Sequence, residues 1–186
     1  MIHRFWSQLS EPDPLRKWSA NVVTTTQGNA CVDWDESSLE PWLVQRLRMV
    51  GDAVHPMDVF RHWSNIVRYE LLYTHGGVWM DNDLIPLRSV WAGPPATAAH
   101  ADGTVCTCFM RFPREHPLLR EALFEAYSLS ISPDGSRRSE NASGEGLIER
   151  LAADHEIERL VLPFDSFGRR TSGELWAVHL NSASRR

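Results

Sequence analysis

Apolar and polar positions alternate along this chain in two distinct rhythms. From Met57 to Thr74, Val59, Phe60, Trp63, Ile66, Val67 and Leu71 recur at helical spacing, which predicts a helix with one stripe facing a core. Gly76 and Gly77 stop it, as expected where the backbone must turn with positive φ. Val78 to Met80 then reads as a buried apolar strand, and Pro86 closes the extended segment behind it. Elsewhere the pattern predicts strands at Ile2–Trp6, Ala30–Trp34, Thr104–Arg111, Leu160–Leu162 and Leu175–Leu180. Helices are expected from Pro14 to about Val23, from a cap at Asp35–Ser38 through Leu47, from His116 to Ser128, and from a cap at Ser143 to about Asp154. Gly93–Pro95 and Ser132–Asn141 read as loops. Strands alternating with helices indicate α/β, and no internal repeat is visible.

Composition narrows the class. The 186 residues are 42% hydrophobic and 23% charged, enough apolar sequence for one domain with a core and too little chain for two comfortable ones. One compact domain over residues 1–186 is expected. A net charge of −5 and a pI near 5.9 exclude the broad basic field that nucleic-acid binding needs. No apolar run approaches the roughly 20 residues of a membrane span. The opening Met1–Trp6 has no signal-peptide pattern, so a cytoplasmic protein is expected. Cys31, Cys106 and Cys108 make no disulfide framework, and Cys106-Thr-Cys108 lacks the two-residue spacer of redox and zinc motifs. They read as ordinary strand residues.

The candidate chemistry lies just past the buried strand. Asp81 and Asp83 flank Asn82, with Val78-Trp-Met80 before them and Leu84-Ile-Pro-Leu87 after. Side chains alternate along a strand, so Asp81 and Asp83 are expected to point the same way and Asn82 the other. Carboxylates embedded in apolar sequence need a partner or a metal. A hard divalent cation, Mg²⁺ or Mn²⁺, suits such a pair and commonly completes its shell with water and phosphate oxygens. On the preceding helix Arg61, Asn65 and Arg68 form a polar stripe, and a chain folding back at Gly76-Gly77 would bring Arg68 toward Asp81. Trp6 offers either core packing or a platform for a base.

The run from Trp63 through Arg68-Tyr69, Gly76-Gly77 and Asp81-Asn-Asp83 to Pro86-Leu87, about 25 residues, resembles the core of the glycosyltransferases with the Asp-x-Asp sugar-binding motif. These include capsular polysaccharide transferases and outer-chain mannosyltransferases, and are distantly similar to the glucosylating clostridial toxins. Ile2-His3 with Trp6 resembles the family's opening strand, and Val32–Asp35 its second. The resemblance implies a GT-A fold, a single Rossmann-like α/β domain whose central mixed, mainly parallel sheet is flanked by helices. It also implies a UDP- or GDP-sugar donor, bound Mn²⁺ or Mg²⁺, an unidentified acceptor, and retention at the anomeric carbon. On this resemblance Asp83 ligates the metal, Asp81 contacts the metal through water or the donor ribose, and Trp6 stacks on the base. Arg68 contacts the sugar region, Asn65, Gly77 and Asn82 join the donor site, and His179 becomes a candidate metal or phosphate ligand.

Two departures stand out. Asn65 occupies the place of the family's helix aspartate and carries no charge, which leaves the preferred sugar open. Beyond Ser184 the family's tryptophan is replaced by Arg185-Arg186, which could grip a diphosphate or form a frayed tail. Two rival readings remain: a glycoside hydrolase using Asp81 and Asp83, for which neighbours on one strand face are poorly placed, and a non-catalytic protein that binds nucleotide sugars.

Overall fold

The structure, a computed structural model, describes residues 1–5, 31–51, 59–86, 89, 91–128, 143–162 and 177–179. In chain order the elements are β1 (Ile2–Phe5), β2 (Cys31–Trp34), α1 (Pro41–Gly51), α2 (Val59–His75), β3 (Gly77–Met80) and β4 (Leu84–Pro86). There follow β5 (Ala96–Ala99), β6 (Val105–Phe112), α3 (Pro117–Tyr127), α4 (Glu145–Leu151), β7 (Glu158–Val161) and β8 (Ala177–His179). Six strands form one sheet in the order β2-β1-β3-β6-β5-β7. β1 runs parallel to β2 and β3, and β5 parallel to β7, while β6 is antiparallel to both neighbours. The expected α/β architecture with a mixed, mainly parallel sheet is the one found. Among the described residues no helix is long and apolar enough to cross a membrane.

The inner strands β1, β3, β5 and β6 are buried on both faces, which is why β3 reads as an unbroken apolar run rather than an alternating one. Trp79 joins the core shared with the helices, whereas Val78 and Met80 join a second cluster with Ile2, Leu84, Phe109 and Ala177. β5, Ala-Thr-Ala-Ala, is completely buried but was invisible as a strand. Alanine is depleted in strands, and a segment covered on both faces shows no alternation.

At the α2–β3 corner the two glycines do different jobs. Gly76 (φ +64°) passes so close to the backbone of Arg114 that a Cβ would lie 2.7 Å from its nitrogen. Gly77 (φ +103°) would place one 2.5 Å from the carbonyl oxygen of Met1, the group that accepts the Val78 N–H and starts the β1–β3 pairing.

Several expected boundaries move. Asp35 does not cap a helix: its Oδ1 accepts the N–H groups of Ser37 and Ser38, a local turn that competes with helix. α1 starts instead at Pro41, whose fixed φ suits a first helical position, with the Glu40 carbonyl accepting from Leu43 and Val44. Ser143 does not cap α4 either. Gly144 holds that place without a side-chain bond, and a 3₁₀ turn over Ala152–Asp154 follows Leu151. In α2, Val59 packs against the core as expected, but Phe60 is 37% exposed and meets Trp63 edge-on, so Phe60 stands outside the apolar stripe. The polar residues His62, Asn65 and Arg68 are buried beside it. The expected helix from Pro14 and the loop at 132–141 lie outside the described residues.

Candidate active site

Strand order locates the crevice. The chain goes from β1 to β2 on one side and later returns to β3 on the other. The connections therefore diverge at β1, and in open α/β sheets ligands bind outside the carboxyl ends of the strands at such a point. Phe5 is the carboxyl end of β1 and Met80 that of β3. Asp81, Asn82 and Asp83 follow Met80 directly, and Asn82 Nδ2 donates to the Phe5 carbonyl at 3.4 Å.

The aspartates do not continue the strand. They lie in a turn closed by Leu84 N–H to the Asp81 carbonyl at 3.1 Å, and the Asp81 N–H is held by the Cys108 carbonyl at 2.8 Å. The expectation that strand alternation aligns the two carboxylates is thus replaced by turn geometry. β3 stops at Met80, and pairing resumes only at Leu84, opposite His179 of β8.

Around Asp81 the side chains form a tight set. Its Oδ1 accepts Trp79 Nε1–H at 2.7 Å and Arg68 Nη2–H at 3.1 Å. Arg68 also donates from Nη1 to the Thr107 carbonyl at 2.7 Å, and its guanidinium lies 4.9 Å from the centre of the Trp79 ring. The approach expected for Arg68 is made. Trp79 is a member of this set that sequence reasoning missed. Its place two residues before Asp81, within reach of that carboxylate, was the available signal.

Whether the turn suits a cation depends on its donors and field. Two carboxylates within three residues are hard oxygen donors. Asp83 is only 8% exposed, so its charge is poorly solvated. The negative field there reaches the Cys108 thiol, whose proton is held well above the ordinary range by its hydrogen bond with Cys106 first, by burial, and further by Asp81 and Asp83. One buried acceptor at the turn, Asn82 Oδ1, has no hydrogen-bond partner among the described residues. The residues present fit a hard divalent ion.

Asn65 takes part in a different set. Its Nδ2 donates to Ser143 Oγ at 3.4 Å, that oxygen is 2.6 Å from His62 Nδ1, and Tyr69 OH donates to the Ser143 carbonyl at 2.6 Å. This explains why Ser143 is unavailable to cap α4. Burial holds the Tyr69 phenol protonated, far above its usual range. Arg61 is exposed on the helix surface, whereas Asn65 and Arg68 of the same expected stripe are buried. His179 is brought opposite Leu84 in the β4–β8 ladder, one residue from Asp83. Gly77, expected at the donor, sits instead at the amino end of β3, four residues and roughly 13 Å of strand from Asp81. Its role is the close approach to Met1. Trp6 and Arg185-Arg186 lie outside the described residues.

Comparison with known proteins agrees with this geometry. Residues 12–102 match the family described as "Glycosyltransferase sugar-binding region containing DXD motif", a span that includes β2, α1, α2, β3 and the Asp81–Asp83 turn. The chain is also similar to a solved structure titled "PaToxG Glycosyltransferase", with a TM-score of 0.59 and 13% identity over 82% of this chain and 68% of that one. At that identity the likeness concerns the fold. A further solved structure, a transferase mutant, aligns with a TM-score of 0.43 and 12% identity over 81% of this chain and 69% of that one, too distantly to support an argument. No curated protein sequence matches the chain.

Proposed function

We propose that this chain, whose residues 12–102 match the glycosyltransferase sugar-binding region containing the DXD motif, transfers a sugar from a nucleoside-diphosphate donor to an acceptor in a metal-dependent reaction with retention. The observation that carries this reading is the placement of Asp81 and Asp83 in one turn at the carboxyl end of β3, tied by Asn82 to the carboxyl end of β1. The chain would act as one GT-A-type domain in the cytoplasm, with a UDP- or GDP-sugar as donor.

Asp83 and Asp81 would hold Mn²⁺ or Mg²⁺, which when bound neutralises charge developing on the leaving diphosphate. The chain's own residues do the rest by position. Arg68 and Trp79 hold the Asp81 carboxylate in place through two hydrogen bonds to one oxygen. Trp6, following β1, would stack on the base, and His179 would stand near the diphosphate. Asn65, one turn before Arg68, would offer its amide oxygen to a sugar hydroxyl, since its Nδ2 is held by Ser143 Oγ.

The same contacts weaken the hydrolase reading. A glycosidase needs its two carboxyl groups on opposite sides of the scissile bond, whereas Arg68 and Trp79 fix Asp81 in the same turn as Asp83.

Thermal shift with UDP- and GDP-sugars, each with and without Mn²⁺, tests the proposal. A donor that binds the folded chain raises its Tm, by an increment that depends on the metal. Asp83→Ala should abolish both that increment and donor turnover. Near-native turnover by Asp83→Ala with a verified donor would remove the assignment.

A further inference from the structure

A second group of side chains with ligand chemistry stands apart from the aspartate turn. His100 follows β5, Cys106 is the second residue of β6, and Glu145 opens α4. One ligand atom from each lies within 4.8 Å of the others. Their separation in sequence matches no metal motif, so only the fold assembles them.

The group is held from several sides. Glu145 Oε1 accepts the Thr107 N–H at 3.3 Å, while Oε2 faces His100 Nε2 at 3.9 Å. The His100 backbone is fixed by its N–H to the Thr104 carbonyl and by its carbonyl from Gly103. Cys106 is 3% exposed, whereas the side chains of His100 and Glu145 are 37% and 47% exposed. The thiol forms a floor, and the imidazole and carboxylate form a rim open to solvent.

We propose that His100, Cys106 and Glu145 bind a zinc-class transition cation, at a site separate from the hard-oxygen pair Asp81 and Asp83. Sulfur, nitrogen and oxygen donors together select a borderline ion over Mg²⁺. Three protein ligands leave the fourth tetrahedral position to water. Ligand atoms around such an ion stand about 3.5 Å apart, a contraction that the two exposed side chains can supply by rotating.

Binding an ion would release the thiol proton of Cys106 and leave the His100 imidazole neutral, as metal ligation requires. Thr107, whose N–H binds Glu145, gives its carbonyl to Arg68. An ion here would therefore brace the strand segment behind Asp81.

The test is titration of the full chain with Co²⁺ under excess Mg²⁺, read as the near-ultraviolet thiolate-to-cobalt band and the visible bands of a tetrahedral ion. The band should saturate at one equivalent and disappear on adding Zn²⁺. It should be lost in Cys106→Ser and survive in Asp83→Ala, Cys31→Ser and Cys108→Ser. His100→Ala and Glu145→Gln change exposed rims that fold without the ion, and each should weaken Co²⁺ binding by at least about tenfold. Absence of the band in the wild-type chain, or its persistence in Cys106→Ser, overturns the proposal. So does unchanged affinity in both rim variants. Because Asp83→Ala is silent here, failure of this site is distinguishable from failure of the donor site.

Discussion

Replacing Arg68 with methionine keeps a stem of similar length and removes the guanidinium that joins α2, β6 and the aspartate turn. Three interactions go together. The Thr107 carbonyl loses a buried donor at 2.7 Å, a loss of about 1–3 kcal/mol when the group is left unsatisfied. Asp81 loses its ion pair. Breaking a fully buried pair costs about 3–5 kcal/mol, but the Asp81 side chain is 31% exposed, and solvent screening brings the expectation nearer 1–2 kcal/mol. The contact over Trp79 adds about 0.5–2 kcal/mol. These share one side chain and do not sum, so the variant should be about 2–4 kcal/mol less stable. Urea unfolding reads this as a lower midpoint at unchanged m. Asp81→Asn in the same background should recover part of the loss, because it removes the stranded charge while still accepting from Trp79. A variant within about 0.5 kcal/mol of wild type, with no recovery in the double mutant, would show that Arg68 does not hold the turn.

Three further outcomes follow from neighbouring contacts. His3 is buried, with Nε2 bonded to the Gly76 carbonyl and Nδ1 accepting from Trp34, and burial lowers its pKa from 6.5 to about 4. The unfolded chain therefore takes the proton first as pH falls. The stability from neutral His3 is complete above 6.5 and is lost between there and about 4, by roughly 3 kcal/mol at most. A stability difference between wild type and His3→Asn that stays flat across that window would refute it. Gly77→Ala should cost about 3 kcal/mol or more, from positive φ and collision with the Met1 carbonyl. Gly103→Ala, at φ +86° with nothing within 4 Å of a Cβ, should cost only about 1 kcal/mol. Equal losses in urea midpoints would show that crowding at Met1 does not matter. Ser143→Ala removes the hydroxyl shared by His62 and Asn65, and should lower stability by about 1–3 kcal/mol. A midpoint unchanged from wild type would show that the buried set is not held through that oxygen.

What local sequence could determine, it determined through strong one-dimensional signals. The stripe of α2, the glycine corner and the apolar β3 are legible because side-chain periodicity and positive φ are properties of the chain itself. His116 and Ser128 bracket α3 as expected, since a cap acts on backbone groups only a few residues away. The Asp81–Asp83 pair stood out because charge among apolar residues demands a partner.

What only tertiary structure decided depends on residues distant along the chain. Ser143 reads as a cap, but three α2 side chains claim it. β5 becomes a strand because β6 and β7 cover its edges, not because alanine favours extension. The aspartates reach the crevice on a turn held by Cys108 and Arg68, where strand parity suggested a continuous strand. His100, Cys106 and Glu145 meet only because β5, β6 and α4 are brought together. Local propensity is worth tenths of a kcal/mol per residue, whereas a buried polar group left unpaired costs several times more. Where the two compete, long-range partners set the outcome.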